Sequence, residues 1–307
     1  VTASPPSSAL RPLFIVGPTA VGKSEAALWL AEKVGGEIIS VDSMQVYRGL
    51  DIGTAKPPAE ERARVPHHLI DVVDLAETFD AAKFVEMAGK SAAEIQSRHR
   101  VPIFCGGTGL YFKAYLEGLG EAPPSDPVLR AELEAAPLAD LLQELARRDP
   151  VAYEKMDRQN PRRVVRALEV IRLTGKTFSG QRAGWNLPRT GEPAARLLGL
   201  SRNPDDLRLR INRRVDEMFR RGLVAETENL LKHGLAENRT AMQALGYRQV
   251  VEYLRGERSL SETVELVKIR TRQFAKRQMT WFRRQLNVDW VESDDASKKL
   301  ASILSKT

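Results

Sequence analysis

The chain has 307 residues, of which 42% are hydrophobic and 28% charged, so it is long enough for about two globular domains and is too apolar for a disordered chain. Its single cysteine excludes an internal disulfide bond and a Cys-rich zinc module, and its short apolar runs predict no transmembrane helix, which needs about 20 residues. The net charge of +7 favours a polyanionic partner.

The first half of the chain alternates short apolar runs with longer amphipathic ones. Residues 1–12 (VTASPPSSALRP) contain no apolar signal core, so we expect a flexible leader and a cytoplasmic protein. We then predict, in chain order, a strand at 13–16, a helix at 24–34, a strand at 37–41, a helix at 84–99 and a strand at 101–105. This order is typical of a parallel sheet with helical crossovers.

A glycine-rich loop follows the first predicted strand. Residues 17–24 read GPTAVGKS and satisfy the pattern G-x-x-x-x-G-K-[ST] in full. The backbone N–H groups of such a loop converge on phosphate oxygens, and the helix N-terminus adds a favourable dipole. Lys23 supplies a positive charge, and the Ser24 hydroxyl is a ligand for Mg²⁺. We therefore predict a diphosphate or triphosphate site formed by Gly17, Pro18, Thr19, Ala20, Val21, Gly22, Lys23 and Ser24.

An acidic residue, Asp42, follows the second predicted strand and has two interpretations. Proteins that bind ATP or GTP hold Mg²⁺ with a second acidic residue at the end of an apolar strand, which favours a metal-ligand role in a kinase-like enzyme. The sequence DSMQVY at 42–47 also places a carboxylate beside an amide and hydroxyls, which suit a nucleobase edge and a proton transfer from an amine. The residues by themselves leave both interpretations open.

The composition changes at about Gly120. A Pro-rich linker at 121–127 precedes a stretch to about residue 175 that is nearly all helix-forming, and a polar segment rich in Gly and Pro follows. A short strand at 195–200 returns the chain to the sheet, and the rest is helical to about residue 286. The fold class is therefore α/β. We predict a nucleotide-kinase-like P-loop core at 13–120 and 195–307, a helical insertion at 121–194 and a helical C-terminal part.

Seven stretches stand in one consistent order between about Leu13 and Leu286. They are GPTAVGKS (17–24), DSMQVYRGLDIGTAKP (42–57), VPHHLID (65–71), GGTGLYFKA (106–114), QNPRRVVRALEV (159–170), RINRRVDEM (210–218) and ALGYRQ (244–249). Together they resemble the motifs of tRNA dimethylallyltransferases, also called tRNA isopentenyltransferases. Eukaryotic relatives carry a Cys/His zinc finger after this core. The single cysteine excludes one here, so the chain resembles the bacterial form.

The resemblance implies transfer of a dimethylallyl group from its diphosphate to N6 of the adenine immediately 3′ of the anticodon in tRNA, assisted by Mg²⁺. Lys23, the loop amides and a metal on Ser24 would stabilise the leaving diphosphate. By analogy, Thr19 hydrogen-bonds near the bridging oxygen, Arg214 adds positive charge, and Asp42 orients or deprotonates the adenine amine. The alternative is an ATP-dependent small-molecule or nucleotide kinase that uses the same ATP-binding loop.

The resemblance also implies contacts with the anticodon stem-loop, whose adenine must be extruded from its stack. The implied contacts are Asp42, Ser43, Met44, Gln45, Thr108, Arg130, Gln159, Asn160, Pro161, Arg162, Arg163, Gln243, Ala244, Leu245, Gly246, Tyr247 and Arg248. Because several of them fall within 121–194, we predict that the insertion binds tRNA. We expect no membrane partner and a monomeric enzyme.

Two basic runs favour an RNA partner independently of the resemblance. Residues 157–182 carry seven basic side chains against two acidic ones, and residues 268–285 carry seven with no acid. On a helix, Phe274 and Trp281 form one stripe, which we assign to the core, beside a stripe of arginines that we assign to phosphate contacts. We assign structural roles to the adjacent His67 and His68 and a buried, inert position to Cys105.

Overall fold

The computed structural model describes residues 11–120, 122–181 and 197–295. The chain divides into two compact units, one of Val1–Leu116 with Pro193–Thr307 and one of Glu117–Glu192. We call them the core unit and the helical unit. Residues 1–10 of the predicted leader, Ala195 and Arg196 of the predicted strand, and Arg182 of the first basic run lie outside the described residues.

The described strands form one parallel sheet in the core unit. They are β1 (Leu13–Val16), β2 (Glu37–Val41), β3 (His67–His68), β4 (Pro102–Gly106), β5 (Leu197–Ser201) and β6 (Asp289–Glu292). Their order in the sheet is β3-β2-β4-β1-β5-β6, and every neighbouring pair is parallel. The predicted parallel α/β sheet is therefore confirmed.

The described α-helices account for most of the remaining chain. They are α1 (Lys23–Val34), α2 (Ala59–Arg64), α3 (Ala81–Ser97), α4 (Gly109–Glu117), α5 (Pro127–Ala135), α6 (Leu138–Arg148), α7 (Pro150–Lys155), α8 (Pro161–Thr174), α9 (Phe178–Gln181), α10 (Pro204–Arg220), α11 (Leu223–Lys232), α12 (Tyr247–Leu254) and α13 (Leu260–Gln285). None of the described helices is long and apolar enough to cross a membrane.

Alternate residues of the central strands face two different cores. Phe14, Ile39 and Phe104 pack on one face of the sheet in a cluster that includes α3. Ile15 and Ile103 pack on the other face in a cluster that includes α1. Because side chains alternate along a strand and both faces are covered, β1 is apolar throughout, as strands of parallel sheets usually are, while β2 also buries Glu37 and Ser40. This is why the sequence shows short continuous apolar runs instead of alternation.

Several boundaries differ from the sequence-based ones. The third helix begins at Ala81 instead of residue 84, because the Asp80 carboxylate caps it by accepting the N–H groups of Ala82 and Lys83, both at 2.9 Å. Strands β3 and β6 were not predicted. β3 has only two residues, and β6 reads DWVE, with exposed acidic residues at both ends and no continuous apolar run, so neither shows a recognisable pattern of its own. The C-terminal part is therefore not purely helical.

The two adjacent histidines of β3 have structural partners. His68 Nε2 lies 2.7 Å from Oε2 of Glu37, which is 3% exposed, and Arg98 bonds the same carboxylate. His67 Nδ1 lies 2.7 Å from the carbonyl oxygen of Val65. Among the described residues no group of three His, Cys, Asp or Glu side chains is arranged for a metal. Both histidines thus make contacts that fit the structural roles assigned to them.

The helical unit has its own apolar core and a buried charge network. Leu141, Leu145 and Leu168 are at most 3% exposed and belong to one cluster. Glu169, with no exposed surface, accepts from the Ser125 hydroxyl at 2.5 Å and from Arg166 Nη1 at 2.6 Å. Buried carboxylates are paired in this way because an isolated one would be strongly disfavoured.

Candidate active site

Three adjacent strands end beside one another at the same edge of the sheet. In β2, β4 and β1, the last residues Val41, Gly106 and Val16 stand in register. The residues that follow directly are Asp42, Gly107 and Gly17. Parallel α/β sheets bind ligands at the carboxyl ends of their strands. The sheet therefore brings the phosphate loop and Asp42 to one site, although 18 positions separate Ser24 from Asp42 in the chain.

The phosphate loop between β1 and α1 is shaped by close backbone contacts. Gly17 has a φ of +149°, and a Cβ at this position would lie 2.7 Å from the Leu200 carbonyl oxygen, so a side chain does not fit there. Lys23 Nζ donates to the Pro18 carbonyl oxygen at 2.6 Å, and Arg210 Nε donates to the Ala20 carbonyl oxygen at 3.1 Å. The loop is therefore held both by its own lysine and by an arginine of α10.

Two cations beside the loop are desolvated. Burial lowers the pKa of Lys23 to about 8, and the positive charge of Arg214 acts in the same direction, while the charges of Cys105 and Asp42 oppose it. Burial also lowers the pKa of Arg214, and the Asp42 carboxylate partly offsets this. Among the described residues Arg214 has no carboxylate within ion-pair distance. An anion that enters the cavity would therefore contact two cations whose positive charges are not fully balanced by carboxylates.

Asp42 is held by a turn at the end of β2. Its Oδ1 accepts the N–H of Met44 at 2.8 Å and the N–H of Gln45 at 3.3 Å. The Thr108 hydroxyl oxygen accepts the N–H of Ser43 at 3.1 Å, which ties this turn to the end of β4. In the described part of the chain, Oδ2 has no hydrogen-bond partner. The carboxylate is thus fixed by one oxygen and presents the other.

The Gln45 amide is oriented on both sides. Its Oε1 accepts from the Ser40 hydroxyl at 2.8 Å, and its Nε2 donates to the Thr54 carbonyl oxygen at 3.2 Å. The loop that contains Thr54 is supported in turn by Tyr247, whose hydroxyl accepts the N–H of Gly53 at 3.1 Å and donates to Glu226 at 2.6 Å. The turn at Asp42 therefore rests on a network of partly buried hydrogen bonds.

A cavity of about 750 Å³ joins these parts. Its polar wall includes Thr19, Lys23, Ser24, Asp42 and Arg214. Apolar side chains of α10 and α13, together with Leu245, complete the lining: Val215, Met218, Leu245, Val267 and Phe274. One cavity thus offers anion-binding groups, a carboxylate and an apolar surface.

Of the implied tRNA contacts in the core unit, most line this cavity. They are Asp42, Ser43, Met44, Gln45, Thr108, Gln243, Ala244 and Leu245. Tyr247 does not fit the implied contact with tRNA, because its side chain has no exposed surface. It instead supports the loop that contains Gly53, as described above. Gly246 is buried beside it, and the exposed Arg248 pairs with Glu252 at 3.1 Å.

The implied contacts in the helical unit differ in their accessibility. Gln159, Pro161, Arg162 and Arg163 are exposed at the start of α8, and Asn160 is half-buried there. Arg130 pairs with Glu134 at 3.2 Å and lies 3.6 Å from Glu169. Arg166 and Arg172 of the basic run are also ion-paired, with Glu169 and with Glu132 and Glu144. Their charges are therefore partly compensated within the unit.

The stripe of aromatic residues on α13 was assigned to the core, and this is only partly correct. Trp281 is half-buried and packs against the core cluster, whereas Phe274 is 36% exposed and lines the cavity. The buried face of the helix instead carries Val267, Ala275, Gln278 and Phe282. Cys105 is buried as predicted, and burial raises the pKa of its thiol to about 11.

Two further residues at this site were missed by sequence reasoning: Gln278 accepts the N–H of Thr19, and Glu226 accepts the N–H of Ile52. Arg210 belongs to the arginine cluster at 210–214 from which the analogy favoured Arg214, and its bond to the phosphate loop was not predicted. A signal exists only for Gln278, which is a polar residue on the apolar face of an amphipathic helix. Arg210 stands among several arginines, and nothing in the local sequence of Glu226 marks it.

Comparison with known proteins decides the family. A family model described as IPP transferase matches residues 45–285. The chain belongs to the IPP transferase family. It is 46% identical over 300 residues to a tRNA dimethylallyltransferase of Geobacter metallireducens, covering 96% of each chain. It is similar to the crystal structure of a full-length tRNA isopentenylpyrophosphate transferase from Bacillus halodurans, with a TM-score of 0.71, 39% identity and 97% of each chain covered.

A structure of a eukaryotic dimethylallyltransferase acting on tRNA is also similar to this chain. The TM-score is 0.76 at 28% identity, and the match covers 94% of this chain and 75% of that one. The resemblance found in the seven sequence motifs is therefore confirmed, and the chain is a prenyl transferase. The comparisons do not favour the kinase alternative.

The residues at the site fit a magnesium ion that has few protein ligands. Ser24 lines the cavity, and its hydroxyl has no hydrogen-bond partner among the described residues. No acidic cluster stands beside it in that part of the chain. Mg²⁺ keeps several waters and binds through one or two protein oxygens plus substrate phosphates. The Ser24 hydroxyl therefore fits the role of one protein ligand for a Mg²⁺ ion that also binds substrate phosphate oxygens.

Proposed function

We propose that this protein transfers a dimethylallyl group from dimethylallyl diphosphate to N6 of the adenine immediately 3′ of the anticodon in tRNA. The observation that carries the proposal is the cavity itself, where the phosphate loop and Asp42 face one space. The names of the relatives support the acceptor and the transferred group. We also propose that the protein acts as a monomer.

The donor binds at the phosphate loop. The loop amides, Lys23 and Arg214 contact the diphosphate oxygens, and Thr19 lies beside the bridging oxygen. The allylic C–O bond breaks with its electron pair going to the diphosphate, so the cations stabilise the charge that develops there. Mg²⁺ held by Ser24 and the diphosphate would add positive charge at the same oxygens. The five-carbon group meets the apolar lining that includes Met218 and Phe274.

The acceptor binds at the turn that holds Asp42. The extruded adenine presents its amine to Oδ2 of Asp42, while Gln45 and Thr108 lie beside it in the cavity wall. The amine nitrogen forms a bond to the allylic carbon, and Asp42 receives or directs the proton that leaves nitrogen. Because the amine is barely basic, the position of Asp42 matters more than its pKa.

The second half of α13 is the surface that best fits RNA phosphates in the core unit. In the first half, Lys268 pairs with Asp216 at 2.7 Å and with Glu265 at 2.9 Å. In the second half, within the described residues, no carboxylate lies within ion-pair distance of four basic side chains, which are Lys276, Arg277, Arg283 and Arg284. A groove of about 510 Å³ is lined by three of these four side chains and by Trp281, and Arg277 lines the reaction cavity as well.

This surface has a direct test by salt dependence. Replacing Lys276 and Arg284 with alanine should reduce the slope of log Kd for tRNA against log salt by about 1.4–1.8, because each phosphate contact contributes about 0.7–0.9. Lys268→Ala is the matched control, because Lys268 lies on the same helix as these two residues but its charge is already paired with Asp216 and Glu265. An unchanged slope in the double variant would remove α13 from the tRNA interface.

The transfer reaction is tested with labelled dimethylallyl diphosphate, Mg²⁺ and unmodified tRNA, with and without ATP. Incorporation into tRNA that is independent of ATP supports the proposal. A transcript with guanine in place of the adenine 3′ of the anticodon is the matched control and should accept no label. Hydrolysis of ATP without incorporation would support the kinase alternative and return Asp42 to a metal-ligand role.

A further inference from the structure

One buried amide on α13 connects the two sides of the cavity. Gln278 is 8% exposed. Its Oε1 accepts the N–H of Thr19 at 2.8 Å, and its Nε2 donates to the carbonyl oxygen of Gly107 at 2.9 Å. Both partners are far away in the chain, at separations of 259 and 171 residues. The contacts therefore arise only from the tertiary fold.

The two partners belong to different halves of the site. Thr19 lies in the phosphate loop that follows β1. Gly107 follows β4 and precedes Thr108, whose hydroxyl oxygen accepts the N–H of Ser43 at 3.1 Å. Ser43 in turn follows Asp42 directly. A single side chain thus links the phosphate loop to the turn that holds the carboxylate.

Only a side chain with an acceptor and a donor at one end can make this link. Glutamate has no donor for the Gly107 carbonyl oxygen, and methionine, which has a similar length, lacks the amide's donor and strong acceptor. Glycine at 107 is part of the arrangement, because a Cβ there would lie 2.3 Å from Nε2 of Gln278. The amide and the glycine fit each other as a pair.

The link also changes what the phosphate loop offers to an anion. The backbone N–H groups of such loops normally point at phosphate oxygens. The N–H of Thr19 instead donates to Gln278, so this amide is already used before a ligand binds. Thr19 itself lines the cavity together with Lys23 and Ser24.

We propose that Gln278 is a positioning residue of the transfer reaction, which fixes the phosphate loop relative to Asp42 and thereby the allylic carbon relative to the adenine amine. This inference rests on the proposed transferase function. Each substrate retains its own contacts without Gln278, so the amide acts on the geometry between them. A misplacement of about 1 Å between reacting groups lowers turnover by about 100-fold.

The test compares Gln278→Met with Phe282→Leu. Both residues lie on the buried face of α13, one turn apart, but Phe282 makes no hydrogen bond to the loop. For Gln278→Met we expect kcat to fall by about 10- to 100-fold, with the KM values for both substrates changed less than about threefold. For Phe282→Leu we expect a lowered Tm and a kcat per folded molecule within about twofold of the unchanged protein.

A second variant, Gln278→Asn, keeps both polar groups but is one methylene too short to reach both partners. It should lose kcat in the same way, which keeps the proposal testable if Gln278→Met does not fold. An unchanged kcat in Gln278→Asn, or an equal loss of kcat in Phe282→Leu, would overturn the positioning role. Absence of transfer by the unmodified protein would instead overturn the proposed function, so the two failures are distinguishable.

Discussion

At the phosphate-loop end of the cavity, burial sets the properties of the charged groups. Desolvation lowers the pKa values of Lys23 and Arg214, and Lys23 is directed by a backbone carbonyl oxygen. At the Asp42 end, hydrogen bonds hold the charged group in place. Two backbone N–H groups bond to one oxygen of Asp42. One end is therefore prepared to gain an anion, and the other to hold a carboxylate at a fixed position.

The difference follows from what each end must do in the proposed reaction. A departing diphosphate gains negative charge, so cations that are short of compensation bind it more strongly as the bond breaks. The adenine amine becomes positively charged as its nitrogen binds the allylic carbon, so a carboxylate fixed beside it stabilises that charge and accepts the proton. Raising the pH should therefore act mainly at the phosphate-loop end, whereas the Asp42 end requires a carboxylate, and not only a side chain of its size, at a fixed position.

The largest effect is expected for Asp42→Asn. The variant keeps the size of the side chain and an oxygen for the turn, but it removes the charge and the proton acceptor. We expect kcat to fall by about 10²–10⁴-fold, with dimethylallyl diphosphate binding changed by less than about threefold, measured by single turnover and by equilibrium binding.

A matched control for that variant is Asp74→Asn. Among the described residues, the Asp74 side chain forms one ion pair, with the exposed Arg48, and Asp74 does not line the cavity. This variant should keep the kcat of the unchanged protein. Turnover near the original value in Asp42→Asn would exclude Asp42 from the chemistry and would remove the distinction between the two ends.

The next effect concerns pH at the phosphate-loop end. With the pKa of Lys23 lowered to about 8, the ammonium loses its proton as the pH rises above that value. Binding of dimethylallyl diphosphate should then weaken by about tenfold per pH unit above 8. The measurement is the Kd between pH 7 and 9.5. Lys23→Ala should bind weakly at every pH without this dependence, and a flat profile for the unchanged protein would contradict the prediction.

The same lowered pKa has a consequence for folding that runs in the opposite direction. In the unfolded chain Lys23 has its ordinary pKa of 10.5, so the unfolded state binds more protons between pH 8 and 10.5. The contribution of this group to the free energy of unfolding therefore rises with pH across that window. As the pH rises, the binding of diphosphate should therefore weaken while the folded protein becomes more stable. Such opposite trends are expected for a functional lysine whose ammonium group is buried at a cost in free energy.

The residues that form the two ends of the cavity were predicted from the sequence more successfully than the residues that support them. The phosphate loop, Lys23 and Asp42 lie in contiguous motifs next to strands β1 and β2, whose bounds were predicted correctly. Backbone geometry within a few residues determines them, so a local pattern is sufficient. Arg214 was assigned by resemblance, and its place in the cavity wall agrees with that assignment.

The supports of the site could not be predicted, because they depend on contacts between distant segments. Glu226 bonds Ile52 across 174 residues, and Arg210 bonds Ala20 across 190. Phe274 was placed in the core because it follows a helical spacing, and the error arose because the buried face of α13 is centred one position further along. Periodicity shows that a helix has an apolar face, but the fold decides which residues cover the core.

A smaller effect is expected for Tyr247→Phe at the Asp42 end. The change removes a hydroxyl that accepts the Gly53 N–H and donates to Glu226, and leaves both in a partly buried position. We expect the free energy of unfolding to fall by about 1–3 kcal/mol. Since Gln45 bonds the same loop at Thr54, the KM for tRNA should rise several-fold, with the KM for dimethylallyl diphosphate unchanged. Equal changes in both KM values would mean that Tyr247 supports the whole cavity.

The smallest effect is expected for Arg163→Ala in the helical unit. Arg163 is exposed at the start of α8, whereas Arg172, near the end of the same helix, pairs with Glu132 and Glu144. A phosphate contact by Arg163 should make the slope of log Kd for tRNA against log salt shallower by about 0.7–0.9, since one counterion fewer is released. Arg172→Ala should lower the free energy of unfolding and leave the slope for tRNA binding nearly unchanged, because its charge is already paired. If the two variants change the slope equally, the exposed start of α8 has no special role, and net charge alone would explain RNA binding by this unit.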